Sequence, residues 1–312
     1  MNQKVRGTIC GVAAAVFYGT NPLGAMNLYA DGITANTTLF YRFALAAAIL
    51  AVIMLVQRKS FALTWREFRM LCILGTLMSS SSSSLYISFN YMDVGIASTL
   101  LFVYPVMVAV LMAVCFKEKV TVATILSIAL SLAGIALLNH SSGGGSLSTL
   151  GVTLVMVSSL TYAVYIVVVN KSTLRLSSIK ITFYVLFIGM FVILVLTALM
   201  GEHVQMLTTA RQWAYALQLA VMPTVLSLVL MVIAVHDIGS TPTAIMGALE
   251  PLTAVAIGVL CFGEVFTTRL AVGITMILVA VLLIVMGKEL SQTMVTTLNR
   301  FGRLISKTWR WK

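Results

Sequence analysis

Apolar residues run along this chain in ten long blocks, separated by short clusters of charge, glycine, proline or serine. The blocks fall at 7–29, 34–56, 68–90, 94–116 and 121–139, then at 149–169, 180–200, 213–235, 239–262 and 268–287. At about 1.5 Å rise per residue, each is long enough as a helix to cross a hydrocarbon core of roughly 30 Å. The blocks lack the period-two alternation of a barrel wall, and a helix satisfies its backbone polar groups within one segment. The pattern therefore predicts an all-α integral membrane protein with ten transmembrane helices. The first block contains Asn21-Pro22 and shows no small-residue cleavage site, so it is expected to be retained rather than removed as a signal peptide.

Composition agrees with the pattern. Of 312 residues, 60% are hydrophobic and 9% charged, against roughly 25% charged in soluble domains. The net charge of +11 is explained by topology. With the N-terminus in the cytoplasm, the inner segments hold Lys4, Arg6, Arg58, Lys59, Arg66, Arg69, Lys117, Lys119, Lys171, Arg175, Lys180 and six tail residues, which is 17 of 20 basic residues, while the outer loops hold Arg211 and Arg269. This is the positive-inside pattern; it places both termini in the cytoplasm and requires no nucleic-acid partner. The tail, 288–312, carries Met294, Leu298, Phe301 and Ile305 at helical spacing among basic residues and ends near Trp309 and Trp311. It is expected to lie on anionic lipid as a cytoplasmic amphipathic helix, with a disordered basic tail as the alternative. Cys10, Cys72, Cys115 and Cys261 show no CxxC or His-containing ligand spacing, so neither a metal nor a cofactor is expected.

The chain also repeats itself. "PVMVAVLMAVCFKE" (105–118) and "PLTAVAIGVLCFGE" (251–264) share Pro, Cys, Phe and Glu at a shift of 146, whereas Asp93/Asp237, Gly95/Gly239, Gly7/Gly151 and Tyr18/Tyr162 match at 144. A two-residue insertion is thus expected near 240–245. Two five-helix units follow, 1–140 and 141–287. Because five is odd, they are inverted relative to each other, the architecture of alternating-access transport with substrate at the repeat interface.

Ten spans, this duplication, the Pro-to-Glu spacing, "FYRFALAAAIL" (40–50) and "GALEPLTAV" (247–255) resemble the drug/metabolite transporter superfamily, EamA type, over essentially residues 7–287. The resemblance implies a secondary carrier in the plasma (inner) membrane, exporting small metabolites, amino acids or drugs through a central cavity. Helices one to four and six to nine would surround that cavity, with the fifth and tenth as peripheral braces. The substrate partner is a small molecule in a lipid bilayer; an integral membrane enzyme or a non-transporting scaffold is the alternative. The enzyme reading lacks a titratable cluster at one depth, and the scaffold reading lacks a long extramembrane loop.

Candidate cavity residues follow from polarity at depth. Arg42 lies roughly 12 Å in from the outer end of the second span, and Glu250 roughly 16 Å in from the inner end of the ninth. Each should face the interior and find a partner or a water-filled cavity; electrostatic coupling between them, direct or through water or substrate, is one expectation, and a static fold-holding pair or separate snorkelling is the alternative. Tyr18, Tyr86, Tyr104, Tyr162 and Tyr165 suit an amphipathic or aromatic solute, and Asn21 is a further candidate. The six serines Ser79–Ser84 allow either close packing or a polar pocket. Ser84, Ser88 and Tyr91 share one side, with Asn90 beside them, and mark the expected polar face. Pro22, Pro105, Pro223 and Pro251 are candidate hinges. The matched Glu118 and Glu264 are expected as interfacial anchors, and His140, His203 and His236 are assigned no role.

Overall fold

The computed structural model describes residues 2–117, 122–138, 148–172, 176–283 and 285–286. Regular structure among them is helical throughout. We number ten helices: α1 (Gln3–Ala30), α2 (Ala35–Val56), α3 (Trp65–Ser88), α4 (Val94–Phe116) and α5 (Val122–Leu138). Then come α6 (Thr149–Lys171), α7 (Ser178–Leu199), α8 (Ala210–Ile238), α9 (Ser240–Met246 followed by Leu249–Phe262) and α10 (Thr268–Leu283). They lie where the apolar blocks predict. Seven are long and apolar enough to span a bilayer unaided, while α5, the second piece of α9 and α10 are shorter apolar helices. The expected tail helix at 288–312 and Glu118 lie outside the described residues.

Local chemistry starts and stops these helices. Thr64 and Glu67 form a reciprocal capping box at α3, and Thr209 and Gln212 form another at α8, satisfying N–H groups that the first helical turn leaves unpaired. Lys117 and Gly263, the matched residues between Phe and Glu in the repeated motif, both end their helices in the left-handed conformation, at φ 55° and 69°. One expectation is corrected. Asp93 matches Asp237, yet α4 begins at Val94 and α9 at Ser240, so the two extra residues are Ile238 and Gly239 rather than residues in 240–245, and Gly239 is not the counterpart of Gly95. The insertion turns through Gly239 at φ 89°, a conformation glycine adopts without a Cβ penalty.

The repeats interlock. α1 packs along α8 and α6 along α3, while α2 packs on α7 and α4 on α9. When α1 is matched to α6 and α3 to α8, the first two contacts are one contact made twice, as a pseudo-two-fold axis requires. A Cβ on Gly7 would stand 2.7 Å from the Asp237 Cβ, and one on Gly151 3.2 Å from the Tyr91 Cβ. The matched glycines thus hold matched helix ends together. Alternation shows again at the ends. Arg6 pairs with Asp237 at 2.6 Å and Lys180 donates to the Ala62 carbonyl at 2.6 Å at one end; Arg211 meets Asp31 at 3.6 Å and Gln205 meets Thr34 at 2.7 Å at the other.

The candidate hinge prolines all sit at helix interruptions. α1 breaks at Thr20 and resumes with Pro22 in its first turn. α4 breaks at Phe102–Val103 before Pro105, α9 at Gly247–Ala248 before Pro251, and Pro223 lies in a π-helical turn of α8, Val221–Leu226. A missing N–H explains each, since proline cannot supply the bond that would continue the ladder.

Candidate functional site

The breaks in α1, α4 and α9 meet at one cavity. Its largest lobe, about 220 Å³, is bounded by Tyr18, Asn21 and Pro22 of α1, Ser98 and Tyr104 of α4, Tyr162 of α6 and Glu250 and Pro251 of α9. A second lobe of about 150 Å³ lies among Arg42, Met78, Tyr165, Thr182, Pro223 and Thr224. A narrow third, about 20 Å³, joins Asn21, Arg42 and Tyr86 to Ser81 and Ser82. Tyr18 and Tyr162 border all three lobes. These two tyrosines are equivalent positions in the two repeats, and Tyr104 and Glu250, each just before a matched proline, are equivalent as well. The cavity therefore lies on the pseudo-two-fold axis.

Arg42 is 4% exposed, and its charge is held without a carboxylate among the described residues. Its Nε donates to Thr224 Oγ1 at 3.0 Å and its Nη1 to the Tyr86 hydroxyl at 2.8 Å. The Tyr86 hydroxyl in turn donates to Asn21 Oδ1 at 3.0 Å. The guanidinium also lies over the Tyr86 ring, 5.6 Å from its centroid, which adds a cation–π attraction. Glu250 borders the other lobe; among the described residues no side chain hydrogen-bonds its carboxylate. The direct Arg42–Glu250 contact allowed by the sequence is absent. The two residues stand in different lobes, and Tyr18 borders both.

An aromatic row completes the wall. Tyr104 meets Tyr162 edge-on at 4.7 Å, and Tyr162 stacks on Tyr165 at 5.8 Å between centroids. Tyr86, expected to contact solute, is fully buried at the narrow lobe, where its hydroxyl and ring both meet Arg42.

The expected polar face of α3 is elsewhere. Ser88 turns its hydroxyl to the Leu85 carbonyl, 2.6 Å away, Asn90 is exposed past the helix end, and Ser84 is absent from the cavity lining. Ser81 and Ser82 reach it instead, one helical turn earlier. The serine run is mainly a packing surface: Ser81 donates to the Ser158 carbonyl at 2.9 Å and Ser158 back to the Ser81 carbonyl at 2.7 Å, locking α3 to α6. Ser79 bonds back to Gly75 at 2.7 Å, which removes most of the desolvation cost of a membrane-buried hydroxyl. Thr224, not among the residues expected from the sequence, borders the cavity and accepts from Arg42; its place beside Pro223 is the signal for it. Glu264 is no simple surface anchor either, since its carboxylate reaches the start of α4.

Comparison with known proteins agrees with this architecture. A model of the EamA-like transporter family matches residues 5–140 and again 149–286, one match for each repeat. An uncharacterized transporter of Archaeoglobus fulgidus is 29% identical over 273 residues, covering 87% of this chain and 93% of that one. An uncharacterized transporter of Synechocystis is 25% identical over 312 residues, covering 91% and 94%. A solved crystal structure superimposes with a TM-score of 0.64 at 15% identity, over 89% of this chain and 95% of that one, a likeness of fold. Two matched repeats, inverted about a shared cavity and recognised one after the other, place the chain in the EamA-like transporter family.

Proposed function

We propose that this protein is a secondary carrier that exports small organic solutes from the cytoplasm by alternating access and catalyses no covalent reaction. Both termini lie in the cytoplasm of a cell whose inner, or plasma, membrane holds the carrier; the concentration of basic residues on one side supports that orientation. The observation that carries the reading is the convergence of equivalent positions, Tyr18 with Tyr162 and Tyr104 with Glu250, on one cavity between inverted repeats. Such a cavity can face either side when the repeats exchange conformations. Arg42 serves as an anchor for an anionic group, Glu250 as a proton or cation site, and the tyrosine row as an aromatic wall. Pro22, Pro105, Pro223 and Pro251 are the hinges.

The test is flux. Purified protein in liposomes is loaded with a panel of amino acids and amphipathic cations. Movement of any compound down its gradient, absent from empty liposomes, supports the carrier. Chemical turnover without flux assigns a membrane enzyme instead.

A further inference from the structure

Both arms of Arg42 lead, through other side chains, to carbonyls that a proline has set free. In an α-helix the N–H of residue 22 would bond the carbonyl of residue 18, and Pro22 has none. Asn21 Nδ2 takes that place and donates to the Tyr18 carbonyl at 2.7 Å. Likewise Pro223 leaves the Leu219 carbonyl without its α-helical donor, and Thr224 Oγ1 donates to it at 2.9 Å. Having used their donors on the backbone, Asn21 and Thr224 turn an oxygen toward the interior. Thr224 accepts from Arg42 directly, and Asn21 accepts from Tyr86, which accepts from Arg42. One guanidinium thus terminates the hydrogen-bond chains of two helix breaks. They belong to different repeats, and α1 and α8 pack against each other.

We propose that Arg42 is a clasp between the α1 and α8 breaks, with Asn21, Tyr86 and Thr224 as positioning residues. An anionic group on the transported solute that draws the guanidinium into the adjoining lobe releases both hinges together. The inference rests on the proposed carrier function and adds the trigger. Buried polar chains of this kind are favourable when every member is satisfied and costly when one partner leaves. Withdrawal of Arg42 therefore destabilises both ends of the chain, rather than one.

Hydrogen–deuterium exchange of the whole protein in nanodiscs reads the two breaks separately, through segments 18–24 and 219–227. Benzoate, titrated against chloride at constant ionic strength, is expected to speed exchange severalfold in both segments; no change in either overturns the trigger. Thr224→Val, which keeps side-chain shape, is expected to speed exchange in both segments without benzoate, and Thr224→Ser to restore the wild-type pattern. A rise confined to 219–227 overturns the clasp. Gln218 also links α8 to Thr20 of α1 at 3.1 Å, so the effect on 18–24 must persist in a Gln218→Leu background. Should Thr224→Val fail to fold, Tyr86→Phe is read instead, and a rise confined to 18–24 overturns the proposal. Liposome flux is measured on the same proteins: linked exchange without wild-type flux overturns the carrier alone, and flux without linked exchange overturns the clasp alone.

Discussion

The Glu264 carboxylate, in the loop between α9 and α10, accepts hydrogen bonds from the backbone N–H groups of Val94 at 2.6 Å and Gly95 at 3.2 Å, so the second repeat caps a helix of the first. Negative charge suits a helix N-terminus, where unpaired N–H groups and the dipole converge. The approach needs a bare backbone opposite: a Cβ on Gly258 would lie 2.1 Å from Glu264 Oε2. Gly258→Val is therefore expected to displace the carboxylate and lower the unfolding temperature more than Glu264→Gln does. The reverse order would remove Gly258 from the account.

The same contact sets a pH dependence. Burial raises Glu264 from its ordinary value by more than the two N–H bonds lower it, and burial raises Asp93 too. A carboxyl raised on folding contributes stability that is full below its unfolded value and lost as pH rises through its folded value. Thermal stability should accordingly fall as pH rises from mildly acidic toward neutral. Glu264→Gln should flatten that slope, leaving the share of Asp93. A wild-type slope of the opposite sign would overturn the assignment.

Lys117 is left-handed at φ 55° where its counterpart in the second repeat is Gly263 at 69°. A side chain in that conformation costs about 1–2 kcal/mol relative to glycine. Lys117→Gly is expected to stabilise the protein by about 1 kcal/mol, and Gly263→Lys to destabilise it comparably, in thermal or denaturant unfolding. No gain for Lys117→Gly would mean that its left-handed turn is relieved elsewhere.

Span positions and the duplication were legible because a membrane enforces them: long apolar blocks, charged turns and matched Pro, Gly, Phe and Glu are one-dimensional signals. That Arg42 and Glu250 border a common cavity, and that the tyrosines are matched across the repeats, was legible for the same reason. Rotation about a helix axis was not. Ser84, Ser88 and Asn90 share polarity with Ser81 and Ser82, and only the neighbouring helices decide which of them meets the cavity. Nor could spacing show that Tyr86 gives both its hydroxyl and its ring to Arg42, or that Thr224 serves Arg42 from another repeat. Those are long-range contacts created by the α1 and α8 breaks, which the sequence marked only as prolines.

Pro105 and Pro251 begin equivalent helical segments on either side of the cavity. Replacing either with alanine restores a backbone donor and favours a continuous helix. In an inverted pair, straightening one member biases one facing state. Transport rate per molecule of Pro105→Ala or Pro251→Ala should fall while abundance in the membrane changes little. Parallel loss of both quantities would leave these prolines a packing role.

Arg42 and Glu250 both border the cavity, and neither has a charged partner among the described residues. An unpaired charge near mid-membrane costs at least about 2.5–3.5 kcal/mol, so two at one site imply compensation. Tyr86 and Thr224 supply part of it for Arg42, while Glu250 borders the cavity with no side-chain donor. Tyr18 borders the lobe of each, and coupling through solute or water is the hypothesis to test. Arg42→Ala and Glu250→Ala should each impair flux strongly, and the double variant should lose less than the product of the two single effects. Such non-additivity is the signature of groups acting on one bound species. Fully multiplicative losses would make the charges independent, and wild-type flux from either single variant would remove that charge from the transport site.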